Sequence, residues 1–309
     1  MSPRVGWLRR PSLRHALALT LSLLVVVALL ETTLRMLQPD RPPELFGIPG
    51  NCLRRSALLG VEYKPRCKGR VHTWRVATNS LGLRGRGVEE DSIRVLAVGA
   101  SIAFGFGVNS FQTYPMQLEY LLNRDRPRPR YQVVNAGVPG YTSYQGLLYF
   151  RERGLALNPA FAIVGFGLND AHRSGDIEAA IMRQRRALQG LEVEETPLRS
   201  ALIEWVRSLG RPLEEPQVSV SGFERNYAEI VRLAASRDVK LIFLSFMEDG
   251  NPYHGVLQRL AEVHEIPLVE YAGPRLDPVH PTPIGYKVLA RQIWKEMIAR
   301  GYVPPPLDG

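Results

Sequence analysis

A serine, a histidine and an aspartate in this sequence have the surroundings from which nucleophilic catalysis can be built. Ser101 follows the short, mostly apolar run 93–98 and a break at Gly99. Such a run is typical of a strand buried on both faces, and amphipathic helical spacing begins near Met116. Ser101 is therefore predicted at a strand-to-helix turn on the carboxyl edge of a sheet. Ligands bind at that edge, and a helix N-terminus there stabilises negative charge.

His280 is the best candidate for a general base among the six histidines. Asp277 lies three residues earlier, on the same short predicted loop. From there its carboxylate can hold the second imidazole nitrogen and fix the tautomer. Pro278 and Pro281 stiffen that loop. Ser101 and His280 are predicted to follow adjacent strands, or to lie on the loops after them, so that nucleophile and base can meet.

Two glycine-containing patches lie between these candidates: Asn-Ala-Gly-Val-Pro-Gly at 135–140 and Gly-Phe-Gly-Leu-Asn-Asp at 165–170. With Gly-Ala-Ser at 99–101 and Asp-Pro-Val-His at 277–280, they resemble the four blocks of the SGNH (GDSL-like) hydrolase superfamily in order and spacing. The resemblance covers roughly residues 90 to 300. It implies a serine esterase with a flavodoxin-like, three-layer α/β/α fold that needs no metal or organic cofactor.

The resemblance also implies a role for individual groups. Ser101 matches the nucleophile, and Asp277 with His280 matches the pair that activates it. The backbone N–H groups of Ser101 and Gly137 and the side-chain amide of Asn169 match the donors of an oxyanion hole. The structural alternatives are a tight turn at Gly137 and a helix cap at Asn169.

One departure from the family pattern concerns residue 100. The first block usually reads Gly-Asp-Ser, whereas Ala100 stands here in place of the aspartate. The nucleophile is kept but a neighbouring polar contact is lost, which bears on the level of activity more than on the fold. Asp170 and His172 follow Asn169 closely and are predicted to be a cap and a residue at the rim of the cleft.

Three functions fit this pattern. The first is a membrane-tethered, exported serine esterase that cleaves an O-acyl ester through an acyl-enzyme on Ser101. The second is an O-acyltransferase acting on cell-envelope or exported polysaccharide, with the same residues and a sugar hydroxyl as acceptor. The third is a non-catalytic binding or assembly protein in which Ala100 marks a decayed site. Nucleic-acid, P-loop and zinc patterns are absent from the sequence, and nothing in it indicates an oligomeric state.

The N-terminus is predicted to direct export. Residues 16–30 carry no charge and are almost wholly apolar, and they follow arginines at positions 4, 9, 10 and 14. Only Val26-Val-Ala28 offers a cleavage site, and a poor one. An uncleaved single-pass anchor in the lipid bilayer over residues 16–37 is therefore favoured over a cleaved, secreted form. The positive-inside rule then places residues 1–15 in the cytoplasm and the catalytic domain outside, in an extracytoplasmic or periplasmic space.

Composition divides the chain into five parts, namely a basic stub and anchor (1–37), a Pro-rich spacer (38–50), a small β-rich extension (51–88), the hydrolase domain (89–303) and a tail (304–309). Within the domain, residues 172–222 break the strand–helix rhythm. They are either a lid beside the cleft or a solvated surface loop. Cys52 and Cys67 lie in the exported part and form either a disulfide or two unpaired thiols.

Strand–helix alternation predicts a parallel sheet with helices on both faces. The expected elements are strands at 93–98, 131–135, 160–165, 239–246 and 266–271, and helices at 144–154, 224–237, 255–263 and 284–299. Thr282 and Pro283 suit the start of the last helix. In the extension, alternation predicts one strand over Val71–Ala77. The stretch Asn79–Arg84 resembles a segment upstream of the nucleophile in membrane-anchored members of the superfamily, and a structural role is favoured for it.

Overall fold

The computed structural model describes residues 13–37, 52–71, 73–124, 130–172 and 216–305. Helix α1 (Leu13–Leu37) belongs to one unit, and all the other helices and strands in these ranges belong to a second. No helix within the same ranges is both long enough and apolar enough to cross a membrane. The predicted spacer, nearly all of the predicted basic stub and most of the predicted lid lie outside the described residues.

The predicted β-rich extension forms two antiparallel hairpins. Strand β1 (Leu53–Ser56) pairs with β2 (Gly60–Tyr63), and β3 (Lys68–Val71) pairs with β4 (Trp74–Ala77). The prediction of a single strand over Val71–Ala77 is wrong, because the chain reverses inside it and Val71 pairs with Trp74 across the turn. Alternation persists through a tight reversal, so the pattern alone did not reveal the turn.

A disulfide joins Cys52 to Cys67 across the first hairpin, at a sequence separation of 15. In the chain-entropy model a loop of this length contributes about 3 kcal/mol of stability. The same hairpin is hydrogen-bonded to the main domain. The Tyr141 hydroxyl donates to the Val61 carbonyl at 2.6 Å, and the Gln145 amide donates to the Leu59 carbonyl at 2.8 Å. The extension is thus tied to the loop and helix that follow the second strand of the main sheet.

A five-stranded parallel sheet positions the site. Its strands are β5 (Ile93–Gly99), β6 (Tyr131–Asn135), β7 (Phe161–Gly165), β8 (Lys240–Ser245) and β9 (Leu268–Glu270). Their spatial order is β6–β5–β7–β8–β9, which is the flavodoxin-like order 2-1-3-4-5. The predicted three-layer α/β architecture with five parallel strands is confirmed.

Helices cover both faces of this sheet. In chain order they are α2 (Ser101–Phe104), α3 (Tyr114–Asn123), α4 (Ser143–Tyr149), α5 (Val220–Ala235), α6 (Pro252–Val263) and α7 (Pro283–Ala299). Helices α3 and α7 pack with Val95 and Ala97 of β5, whereas α4, α5 and α6 pack with Leu96 and Val98. Successive side chains of a strand point to opposite faces, so this apolar run is buried on both sides, as predicted.

The strands that precede Ser101 and His280 are not neighbours. Ser101 follows β5, whereas His280 follows β9 at the edge of the sheet, with β7 and β8 between them. The connection from β9 to α7 brings His280 back toward Ser101. It leads into α7, which packs against α3 and with it covers Val95 and Ala97 of β5. Helix α7 begins as predicted: Pro283 is its first residue, and Thr282 Oγ1 accepts from the Gly285 N–H at 3.0 Å.

Candidate active site

Ser101 is the first residue of α2, at the carboxyl end of β5. The strand ends at Gly99, the helix lasts a single turn, and Gly105 terminates it with a left-handed φ of 85°. Gly99 makes the sharp turn possible. A Cβ atom at that position would lie 2.8 Å from the Ala103 Cβ and 2.9 Å from the Gly165 carbonyl oxygen. The turn leaves Ser101 partly exposed at the edge where the loops of neighbouring strands converge.

A chain of hydrogen bonds runs from Ser101 through His280 to Asp277. His280 Nε2 lies 2.9 Å from Ser101 Oγ, and His280 Nδ1 lies 2.7 Å from Asp277 Oδ2. The other carboxylate oxygen, Oδ1, accepts from the backbone N–H groups of Val279 and His280 at 2.8 and 2.7 Å. Both oxygens are therefore used to fold the Asp-x-x-His loop and to aim the imidazole at Ser101.

The charge state of Asp277 follows from these contacts. Burial raises the pKa of the Asp277 carboxyl, but the hydrogen bonds from His280 and Val279 outweigh it, and the pKa lies below its usual range. Asp277 is therefore ionised at neutral pH. An ionised carboxylate accepts from Nδ1–H, which leaves the Nε2 lone pair facing the Ser101 hydroxyl. This arrangement can take the hydroxyl proton as the oxygen attacks a carbonyl.

Asn169 lies in the loop after β7, next to the Ser101 turn. The two loops are neighbours because Gly99 at the end of β5 pairs with Gly165 at the end of β7. Asn169 Nδ2 donates one hydrogen to the Tyr141 carbonyl at 2.8 Å, which fixes the plane of the amide. The amide nitrogen carries a second hydrogen that can be donated to a ligand. Asn169 thus has the geometry of a neutral, preoriented donor.

Gly137, whose N–H is predicted to be an oxyanion donor, lies against the Ser101 helix. Its N–H is buried and donates to Asn135 Oδ1 at 3.0 Å. A Cβ atom at this position would lie 2.1 Å from the Phe104 nitrogen, so Gly137 lets its loop pack directly against α2. Gly140, in the same sequence patch, is partly exposed, and among the described residues its N–H has no hydrogen-bond partner. The patch contains two glycines, and spacing alone could not tell which of the two N–H groups is hydrogen-bonded within the loop.

A model of the GDSL-like lipase/acylhydrolase family matches residues 97–288, well over half of the chain. The chain belongs to this family. It is therefore an enzyme of the lipase/acylhydrolase class, and the matched range contains Ser101, Asn169, Asp277 and His280. Among the described residues, no three His, Cys, Asp or Glu side chains converge to hold a metal ion.

Several solved structures are similar to this GDSL-like chain. A lipase/acylhydrolase from Enterococcus faecalis is 19% identical, with a TM-score of 0.46 over 70% of this chain and 99% of that one. A GDSL-like lipase from Bacteroides thetaiotaomicron VPI-5482 is 22% identical, with a TM-score of 0.41 over 68% and 89%. An acetyl xylan esterase, AlAXEase, is 18% identical, with a TM-score of 0.46 over 67% and 100%. A comparison with curated protein sequences gave no match.

Asp170 supports the site of this GDSL-like enzyme from within the core. Its Oδ1 accepts from the Ser143 N–H at 2.9 Å and from the Ser143 hydroxyl at 2.5 Å, and its Oδ2 accepts from the Gly167 N–H at 3.0 Å. The Ser143 hydroxyl oxygen accepts from Asn226 Nδ2 at 2.9 Å. Asp170 therefore caps the first residue of α4 and ties the Asn169 loop to α4 and α5. His172, by contrast, is exposed.

Asp170 is expected to make stability depend on pH. Burial raises its pKa to about 6, because the hydrogen bonds from Ser143 and Gly167 offset only part of the burial cost. The unfolded pKa is about 3.9, so the folded state binds more protons between these values. The stability contributed by neutral Asp170 is complete below about pH 4 and lost as pH rises through about 6. The loss corresponds to about 3 kcal/mol at neutral pH.

Urea unfolding of wild type and Asp170→Asn from pH 4 to 7 measures this contribution. The free energy of unfolding of the wild type should fall relative to that of the variant as pH rises. The matched control is Asp91→Asn, which changes an exposed aspartate. A wild-type-minus-Asp170→Asn difference that is constant across this range would show that Asp170 does not titrate there.

Proposed function

We propose that this GDSL-like acylhydrolase cleaves an O-acyl ester by nucleophilic catalysis, with Ser101 as the nucleophile, His280 as the base and Asp277 as the orienting carboxylate. The observation that carries the proposal is the unbroken hydrogen-bonded chain of 2.9 and 2.7 Å through the imidazole. Residues 179 positions apart are brought to hydrogen-bonding distance. That geometry argues against a decayed, non-catalytic site in spite of Ala100.

The reaction proceeds in two halves on the same three side chains. Ser101 Oγ attacks the ester carbonyl carbon while His280 Nε2 takes the hydroxyl proton. The imidazolium then gives that proton to the departing alcohol oxygen, which leaves an acyl group on Ser101. Water attacks the acyl-enzyme, His280 takes its proton and returns it to Ser101 Oγ, and the free acid departs. Asp277 stabilises the imidazolium in both halves and is not itself protonated.

The oxyanion that forms in each half needs donors at the edge of the Ser101 turn. The backbone N–H of Ser101 at the start of α2 and the free hydrogen of the Asn169 amide supply two. The Gly140 N–H supplies the third in place of Gly137, whose N–H is taken up by Asn135. One donor of this kind is worth about 3–4 kcal/mol of transition-state stabilisation.

Labelling with a fluorophosphonate tests the proposal. The reagent phosphonylates an activated serine, and mass mapping of the modified peptide should place the label on Ser101. Labelling should be lost in His280→Ala. The absence of label on a folded wild-type sample, or a label on another serine, would overturn the assignment.

The acceptor of the acyl group decides between hydrolysis and transfer. The acyl-enzyme can be resolved by water or by a sugar hydroxyl without any change in the three side chains. A short-chain nitrophenyl ester supplied with and without a saccharide acceptor separates the two. Hydrolysis predicts free acid in both samples, whereas an O-acyltransferase predicts an acylated saccharide when the acceptor is present.

We further propose that residues 16–37 direct export and hold the domain at a membrane, with residues 1–15 on the cytoplasmic side. Nine large apolar side chains of α1, from Leu19 to Leu30, are exposed. Their run carries no charge and follows a cluster of arginines, which suits an export signal. The disulfide between Cys52 and Cys67 suits an oxidising compartment.

Cell fractionation and protease access test this placement. Full-length protein should sediment with membranes, resist extraction by high salt and be released by detergent. Its domain should be digested by protease added outside the cytoplasmic membrane. A chain lacking residues 1–37 should remain in the cytoplasm. Recovery of the full-length protein in the soluble cytoplasmic fraction would refute the proposal.

A further inference from the structure

The loop between β4 and β5, residues 79–84, takes no part in the chemistry proposed above, yet it is built to hold one conformation. The Asn79 side chain organises it. Its Oδ1 accepts from the N–H groups of Leu81 and Leu83 at 2.8 and 3.1 Å, and its Nδ2 donates to the Arg86 carbonyl at 2.9 Å. A polar side chain that bonds its own backbone in this way fixes a turn. The turn directs the last residue of the loop inward.

That residue, Arg84, is 5% exposed. Its guanidinium donates hydrogen bonds to carbonyls at the end of the helix that begins at Ser101. One terminal nitrogen donates to the carbonyls of Phe104 and Gly105, both at 2.6 Å. The other donates to the Val108 carbonyl at 2.6 Å and the Arg75 carbonyl at 3.2 Å. Burial lowers its pKa to about 10, so the group remains charged at neutral pH. Carbonyls at a helix C-terminus lack partners in the helix, and a cation there satisfies them.

Aromatic side chains of the extension enclose the same contact. The Arg84 guanidinium carbon lies 4.4 Å from the centre of the Phe104 ring and 5.3 Å from that of Trp74. Tyr63 stacks on Phe104 with ring centres 5.0 Å apart, and Trp74 meets Phe106 edge-on at 5.4 Å. The hairpins thus pack directly on the segment that follows Ser101. Both guanidinium and ammonium groups are attracted to aromatic faces, but only the planar guanidinium can also stack on them.

The segment to which Arg84 donates, Phe104–Val108, is in contact with both the nucleophile and its base. It begins at the last residue of the one-turn helix that starts at Ser101. At its centre, the Phe106 ring lies 4.6 Å from the His280 imidazole. The Phe106 carbonyl accepts from the Tyr286 hydroxyl at 3.2 Å. A shift of this segment would therefore move Ser101 and the packing surface of His280 together.

We propose that Arg84 is a positioning residue for the reaction: by anchoring Phe104–Val108 it sets the alignment of Ser101 with His280. The inference rests on the proposed function of those two residues. It also gives the extension a role in activity. Lysine is not expected to replace Arg84. The two terminal nitrogens of the planar guanidinium donate to two different pairs of carbonyls, and the single ammonium of lysine cannot reach both pairs.

Arg84→Lys is the test, and Arg94→Lys is its matched control. Arg94 also donates to backbone carbonyls, those of Glu89, Glu90 and Leu157, but it lies near the amino end of β5, away from the site. Misplacing reacting groups by about 1 Å costs on the order of 10²-fold in rate. Arg84→Lys should lower kcat and the rate of fluorophosphonate labelling to that extent, with KM little changed. Arg94→Lys should leave both rates near those of the wild type.

Melting curves keep stability separate from alignment. A folded Arg84→Lys with wild-type kcat and labelling rate would overturn the proposal.

If Arg84→Lys does not fold, Phe106→Ala tests the same segment: slower labelling supports the proposal, and an unchanged rate overturns it. If both fold, the double variant should lose less than the product of the single losses, because both changes release one segment. Multiplicative losses would count against it.

One readout does not depend on catalysis. The Nδ1 proton of His280 can be observed by NMR as a far-downfield signal when it is hydrogen-bonded to Asp277. Its loss or shift in Arg84→Lys, with no change in Arg94→Lys, supports positioning even if wild-type Ser101 resists labelling. A wild-type Ser101 that resists labelling would overturn the proposed function but not the positioning role of Arg84. An unshifted signal in Arg84→Lys would overturn the positioning role.

Discussion

Replacing Ser101 or His280 by alanine is expected to lower kcat/KM by about 10⁴- to 10⁶-fold without unfolding the protein. In the proposed reaction Ser101 supplies the oxygen that carries the acyl group. Among the described residues, the His280 imidazole is the one base at hydrogen-bonding distance, 2.9 Å, from that oxygen. The two losses should not multiply in the double variant, because each change alone removes the same nucleophilic unit. Hydrolysis of a short-chain nitrophenyl ester measures the effect.

His172→Ala is the matched control for His280→Ala. His172 lies three residues after Asn169, but its side chain is exposed and is not part of the hydrogen-bonded chain to Ser101. The variant should keep most of the activity. A large loss in His172→Ala together with an active His280→Ala would reverse the assignment of the base.

Replacing Asn169 by alanine is expected to lower kcat by about 10²- to 10³-fold, with a smaller effect on KM. The amide donates to the oxyanion only as negative charge develops, so its removal raises the barrier more than it weakens substrate binding. The contact of Asn169 Nδ2 with the Tyr141 carbonyl, at 2.8 Å, holds the donor in place before the reaction begins. Steady-state kinetics with the same ester measures the loss.

Asn251→Ala separates this effect from loss of stability. Asn251 Oδ1 accepts from the Tyr253 N–H at 3.0 Å and caps α6. Its removal should cost about 1 kcal/mol in the free energy of unfolding and leave kcat unchanged. If Asn169→Ala behaves in the same way, Asn169 serves only to tie its loop to Tyr141, and the oxyanion is held by backbone groups.

The strands of the parallel sheet could be predicted from the sequence. Apolar runs such as 93–98 and 131–135 became buried parallel strands, because a strand covered on both faces excludes charge whatever its neighbours are. The Asp277–His280 pair was also readable, since three residues of loop suffice to fold a carboxylate onto an imidazole. Local chemistry and short spacing carry this information.

The packed structure was needed to show which groups meet across the fold. It showed that β5 and β9 are separated by two strands, that the Gly137 N–H is taken by Asn135, and that Val71–Ala77 turns back on itself. It also placed Arg84 on the carbonyls of the nucleophile helix. These outcomes depend on packing between segments far apart in the chain. Periodicity and spacing record the burial of each residue but not the partner that buries it.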